Sequence, residues 1–224
     1  MANEKVYFQI GTNSGDDGFR KKCLKDKPTK IILVEPNPEM RPFIEKNYKD
    51  IENVFIYINA IYYRTGEDVE LIMPSRKGVV VGEGINAKGK RAENGMVYSN
   101  RHYSLVPMND WGKREDWAIL KAKGISFDDI CKEHNITHIS YLQMDTEGFD
   151  SEIIKMIDLN KYKINVVRYE RWAFEPTCYT KHHNDIIDNV GKNGMKNSMD
   201  KFIKHNYTMS ISEDKRDHVA TLIE

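Results

Sequence analysis

The stretch FQIGTNSG, residues 8–15, decides the fold. An apolar run, Val6 to Ile10, ends abruptly in glycine, and the loop Gly11 to Gly15 leads into an amphipathic segment from about Asp16 to Asp26. Strand, tight turn and helix are the reading that fits. The next apolar run, Ile31 to Val34, has no polar interruption, as expected of a strand covered on both faces. It ends in Glu35-Pro36-Asn37-Pro38, followed by a helical segment from about Glu39 to Tyr48 and a third strand, Val54 to Ile61. Strands alternating with helices predict a mostly parallel sheet.

Farther along, the rhythm lapses. Residues 64 to 117 hold one strand-like piece (Val69 to Met73), a glycine-rich run from Gly78 to Gly95 and the stretch Val97 to Val106. Irregular structure or hairpins are expected there, and a long irregular insertion in a compact domain is often functional. Order resumes at Ser126, a candidate N-cap with Asp128 and Asp129 in the first turn, where the helix dipole favours negative charge. That helix runs to about His134. A fourth strand, His138 to Met144, ends in Asp145-Thr146-Glu147-Gly148, and a helix follows from about Asp150 to Leu159. The fifth strand is Ile164 to Tyr169. A helical region from about Asn184 to Asn206 contains Gly191 and Gly194, where a break is expected. Thr208 to Ile211 and His218 to Ile223 flank a polar turn and read as a hairpin. The fold class expected is α/β, Rossmann-like: a mostly parallel seven-stranded sheet with a C-terminal antiparallel hairpin. A single domain, 1–224, is expected, with an insertion at about 76–124.

Bulk composition narrows the function. Lys+Arg and Asp+Glu both number 34 in 224 residues. That balance argues against a dedicated nucleic-acid binder, which carries a basic excess. Cys23, Cys131 and Cys178 are far apart and odd in number, which speaks against a disulfide framework or a zinc site. The N-terminus enters a strand almost at once, leaving no room for a signal peptide. No stretch approaches the roughly 18 apolar residues that span a bilayer. A cytoplasmic location is the expectation.

In open α/β sheets ligands sit at the carboxyl ends of the strands, and three loops here end such strands. In Gly11-Thr12-Asn13-Ser14-Gly15, Gly11 permits a sharp turn, Gly15 lets the helix begin close to a ligand, and backbone N–H groups at the helix start can hold a carboxylate. A plain strand-to-helix turn has the same pattern. Position 13 is Asn, where a dinucleotide site needs glycine for the pyrophosphate to approach. S-adenosylmethionine (SAM) has no pyrophosphate, so Asn13 favours it over NAD. Glu35, ending strand two, can accept hydrogen bonds from both ribose hydroxyls; Pro36 and Pro38 stiffen the following loop, an edge of the adenine pocket, and Pro36 and Asn37 are candidate cofactor-binding residues. An ordinary helix-initiating acid is the alternative. Asp145 and Glu147 flank Thr146 after an apolar strand. A solvated turn is the plain reading. The functional one makes Asp145 a general base, a metal ligand or an acceptor for the SAM amine.

At these residues the sequence resembles the FkbM-type methyltransferases. The match runs in order through FQIGTNSG, ILVEPNPEM, NAIYYRTGEDVEL, SFDDI and YLQMDTEGFDSEI, over roughly residues 6–75 and 125–172. The resemblance implies a class I methyltransferase fold, SAM as cofactor and O-methylation, often of sugars or other natural-product hydroxyls. Gly11, Thr12, Asn13, Ser14 and Gly15 then correspond to the SAM loop and Glu35 to the ribose ligand. Asn59 and Ala60 match the loop beside the adenine, and Asp145 and Glu147 the signature acids. Two positions depart from the family pattern. Gln9 stands where an acid usually precedes the glycine loop, and Gln143 stands where a Lys often precedes the signature Asp.

A sugar hydroxyl is a poor nucleophile and gains from a general base. Asp145 is the candidate, alone or with Glu147 or Glu170, which ends strand five. A divalent cation on Asp145, Glu147 and His182 is a second arrangement these residues allow, and His183 lies beside it. The insertion is the candidate acceptor lid: Tyr98, His102, Tyr103, Trp111 and Trp117 can stack on sugar faces, and Arg101, Lys113 and Arg114 can bind hydroxyls. Structural pinning of the loop is the alternative for each aromatic. An NAD-dependent oxidoreductase and an RNA methyltransferase are the competing functions. Asn13 argues against the first and the neutral charge against the second.

Overall fold

The computed structural model describes residues 4–74, 117–171 and 185–223. In chain order its elements are β1 (Val6–Ile10), α1 (Gly18–Asp26), β2 (Lys30–Val34), a 3-10 turn (Pro38–Met40), α2 (Arg41–Tyr48), β3 (Val54–Tyr57), β4 (Ala60–Ile61), β5 (Asp68–Pro74) and β6 (Trp117–Ile125). They continue with α3 (Phe127–Glu133), β7 (His138–Ile139), β8 (Tyr141–Met144), α4 (Asp150–Met156), β9 (Lys163–Ile164), β10 (Val166–Glu170), α5 (Asp185–Lys204), β11 (Tyr207–Ile211) and β12 (Asp217–Leu222).

Why these residues make three layers follows from β1. Successive side chains of a strand point to opposite faces. Val6, Phe8 and Ile10 join Ile32 and Val34 of β2, Phe127 and Ile130 of α3, Ile153 of α4 and Phe202 of α5 in one core. Tyr7 joins Ile31 and Leu33, Phe19 and Cys23 of α1, and Ile44 and Tyr48 of α2 in a second core on the opposite face. Both faces are therefore apolar, which is why β1 and β2 read as unbroken hydrophobic runs. Phe19 is fully buried, and burying one such side chain stabilises by about 1.5–3 kcal/mol.

The main sheet has the order β11-β12-β10-β8-β1-β2-β3. β1 pairs in parallel with β2 and β8, β2 with β3 and β8 with β10, while β12 runs antiparallel to both β10 and β11. The seven-stranded, mostly parallel α/β sheet with a terminal hairpin is thus present as expected. The chain winds outward from β1 to β3 and then returns to the other side of β1. This reversal opens a crevice beyond the carboxyl ends of β1 and β8.

Three expectations need correction. The third strand does not run to Ile61. β3 ends at Tyr57, and Ala60 and Ile61 pair instead with Gly124 and Ile125 in a separate sheet of order β4-β6-β5. The Asn59 side-chain amide, donating to the Lys123 carbonyl, fixes that departure. The insertion is not irregular up to residue 124. Residues 117–125 form β6, paired antiparallel with all of β5 from Asp68↔Lys123 to Pro74↔Trp117. Trp117 therefore belongs to a strand, while Tyr98, Arg101, His102, Tyr103, Trp111, Lys113 and Arg114 lie outside the described residues. Finally, α5 runs unbroken through Gly191 and Gly194. Gly194 is buried and lines a small pocket with Ser151 and Ile154 of α4. Among the described residues no helix is long and apolar enough to cross a membrane.

Candidate functional site

The loop after β1 is held by its own hydrogen bonds. The Gly11 and Thr12 amides both donate to the Val34 carbonyl (2.9 and 3.1 Å), Gly15 donates to the Thr12 carbonyl (2.9 Å), and Ser14 donates to its neighbour's Asn13 Oδ1 (2.7 Å). The fifth amide, that of Asn13, donates to Glu35 Oε2 at 2.7 Å. All five loop amides, 11 to 15, therefore have partners within the protein. Asn13 sits at φ 50°, the left-handed region that Asn tolerates better than most side chains.

The two glycines of the loop answer to different neighbours. Gly11 has φ +79°, and a Cβ there would lie 1.8 Å from the Asp145 carbonyl oxygen. Strand ends β1 and β8 can come together only if position 11 carries no side chain. At Gly15 a Cβ would lie 2.9 Å from the Tyr48 ring. Gly15 is buried against α2 and does not line the cleft described below.

Glu35, only 8% exposed, is a structural crosslink as well as a candidate ligand. Its Oε2 takes the Asn13 amide and its Oε1 takes the Asn37 amide (2.9 Å), so one carboxylate joins the loop after β1 to the turn after β2. Asn37 is buried and caps the 3-10 turn through its Oδ1 on the Glu39 amide (3.1 Å). It supports the site from beneath and is not part of the cleft wall.

The loop after β8 is organised by Asp150, a residue sequence reasoning treated only as a helix start. Asp150 is wholly buried and accepts hydrogen bonds from Thr146 Oγ1 (2.6 Å), the Thr146 amide (3.3 Å) and the Glu170 amide (3.4 Å). Burial pushes its carboxyl up to about 6 despite those donors. The spacing Thr146–Asp150 at the start of a helix was the available signal. This frame presents Asp145 exposed at the cleft and Glu147 half-buried at φ 53°. Glu170 is set apart from them. It does not line the cleft, and burial, with the nearby charges of Asp145, Glu147, Asp150 and Asp217, raises its carboxyl far above the ordinary range.

The cleft itself has a volume of about 210 Å³. Gly11, Thr12, Asn13, Ser14, Glu35, Pro36, Asn59, Ala60, Asp145 and Glu147 all line it, as do the apolar Ile10, Val34, Ile61, Leu71, Phe149 and Ile153. Asp16 and Asp17, which sequence reasoning passed over, complete the wall. Among the described residues the lining thus carries five carboxylates (Asp16, Asp17, Glu35, Asp145 and Glu147) and no Lys, Arg or His. The cleft favours a cationic ligand and repels a polyphosphate. Among the described residues no group of three or more His, Cys, Asp or Glu is placed to hold a metal ion, and His182 and His183 lie outside them.

Comparison with solved structures finds distant likenesses to methyltransferases. The precorrin-6y C5,15-methyltransferase from Geobacter metallireducens GS-15 aligns with TM-score 0.44 and 10% identity over 100% of this chain and 82% of that one. An O-methyltransferase from Bacillus cereus in complex with S-adenosylhomocysteine (SAH) gives 0.46 and 7% over 98% and 74%. Fibrillarin from Aeropyrum pernix with natively bound SAM gives 0.43 and 10% over 98% and 66%. No curated protein matches significantly. The sequence of the methyltransferase FkbM domain matches residues 9–197, from the buried end of β1 into α5. This chain belongs to the FkbM methyltransferase domain family.

Proposed function

We propose that this chain is a SAM-dependent O-methyltransferase whose acceptor is a hydroxyl of a sugar or glycan. The observation that carries the cofactor assignment is the cleft wall: among the described residues it has five carboxylates and no cationic side chain at the carboxyl ends of β1, β2 and β8. SAM is cationic at its sulfonium and its ammonium. NAD carries a pyrophosphate, which this wall would repel. Bound here, SAM supplies an electrophilic methyl group.

The chain's own residues divide the remaining work. Glu35, oriented by the Asn13 and Asn37 amides at the cleft wall, accepts from the ribose hydroxyls. Ala60, Ile61, Leu71 and Phe149 offer apolar surface for the adenine. Asp145, at the exposed end of β8, takes the proton from the acceptor hydroxyl, and Glu147 stands beside it. In-line displacement depends on orientation. Orientation comes from Asp150, which ties Thr146 to the end of β10 and so fixes the loop that carries both acids. The sugar assignment extends the family's chemistry to a hydroxyl, a poor nucleophile that gains from a base such as Asp145.

Radiolabelled SAM with a panel of free deoxysugars and oligosaccharides, read by mass spectrometry, tests the reading. A gain of one methyl on a sugar oxygen, unaffected by nuclease, supports it, whereas label found only in RNA sinks it. Loss of turnover in excess EDTA would restore the metal-dependent arrangement on Asp145, Glu147 and His182.

A further inference from the structure

Gln9 and Asp17 form a pair that the reaction scheme above does not use. Gln9 is 1% exposed on the α1 face of β1, the one polar side chain of that strand. Its Nε2 donates to Asp17 Oδ2 at 2.5 Å, and its Oε1 is buried with no hydrogen-bond partner. Asp17 is the N-cap of α1, accepting the Arg20 amide on Oδ1 at 3.0 Å, and it lines the cleft. Both of its oxygens are thus held by neutral donors, and among the described residues it forms no ion pair. A carboxylate held by two hydrogen bonds faces the ligand space.

The pairing explains the departure at position 9. A carboxylate there would be buried within hydrogen-bond distance of Asp17, and two such acids cannot both stay ionised. An amide in the same shape repels nothing and supplies the donor that orients Asp17. Neutral Gln9 and charged Asp17 therefore go together.

Where Asp17 acts follows from the other acids. Glu35 bridges the β1 loop to the β2 turn and so marks the ribose end of the cleft. Asp145 ends β8, on the acceptor's side. Asp17 stands over β1, on the α1 side of the same loop. We infer that Asp17, positioned by Gln9, binds the α-ammonium group of the cofactor's amino-acid portion. This rests on reading the cleft as a SAM site.

Calorimetric titration with SAH and with 5′-methylthioadenosine separates the two. Both ligands share the adenosine, neither has a sulfonium, and only SAH has the ammonium. Wild type binds both. Asp17→Asn keeps a good N-cap, and its new amide can be met by rotation of the Gln9 amide, so the fold is retained. Asp17→Ser, also a capping residue, serves as a second variant. Each weakens SAH about tenfold or more, the size of a lost charge-assisted hydrogen bond, and leaves methylthioadenosine unchanged. The exchange Gln9→Glu with Asp17→Asn moves the charge across the pair and recovers most of the affinity for SAH. Unchanged SAH affinity in Asp17→Asn, or equal loss for both ligands, overturns the assignment while leaving the SAM site standing. A wild-type protein that binds neither ligand overturns the SAM reading and this assignment together.

Discussion

Asp150 and Glu170 both hold their protons more tightly in the folded chain than in the unfolded one, because burial disfavours the carboxylate. Their contribution to stability is therefore complete below the ordinary carboxylate range and falls as pH rises through the raised values. Glu170→Gln removes the group that must either stay protonated or be charged beside Asp145, Glu147, Asp150 and Asp217. Thermal scans should show the variant melting above wild type at pH 8 and together with it near pH 4. Equal melting at both values would mean that Glu170 ionises freely. Asp145→Asn tests the chemistry at the same scale. Turnover at saturating SAM should fall about 10² to 10³-fold, the usual worth of a general base, with SAH affinity retained. Full turnover would place the base elsewhere. Glu35, Asn13 and the two acids after β8 were readable from sequence, because each is a polar residue at the end of an apolar run. Asp17 and Asp150 were not. One reads as a helix cap and the other as a first-turn acid, and only the fold brings them to Gln9 and Thr146.

At the level of elements, Gly11 is where two strands meet. Gly11→Ala must place a methyl group on the Asp145 carbonyl oxygen at a left-handed backbone position. Denaturant unfolding should show a loss of about 3 kcal/mol or more. Lys201 of α5 joins two helices: its ammonium donates to the carbonyls of Ile154 (2.7 Å), Lys155 (3.0 Å) and Ile157 (2.5 Å) at the end of α4. Lys201→Met keeps much of the stem but leaves those carbonyls without it, so a cost of about 2 kcal/mol is expected in the same measurement. Legibility at this scale followed burial. β1 and β2, apolar on both faces, and α3, capped by Ser126 on the Asp129 amide (3.0 Å), lay close to where the pattern put them. β6 was hidden, because Ile119 is exposed and lysines alternate through it. Its strand character comes from its partner β5, which lies far away in sequence.

For the whole molecule, a cleft that binds only the folded chain links ligand to stability. SAM at about a hundred times its dissociation constant should stabilise by about 2.7 kcal/mol, which for a chain of this size raises the melting temperature by roughly 5–10 °C. NADH at equal concentration should leave it unchanged. A shift with NADH and none with SAM would reverse the cofactor assignment.

The β5–β6 ladder has a consequence of another kind. Pro74 and Trp117 are cross-strand partners, so the two ends of the segment between them lie side by side. Whatever is spliced between those two residues imposes no strain on the sheet that carries the cleft. Paired ends of this kind accept segments of different length between them at little cost in loop closure. Grafting the intervening segment from another family member should transfer its preference for an acceptor while the host keeps its own grip on the methyl donor.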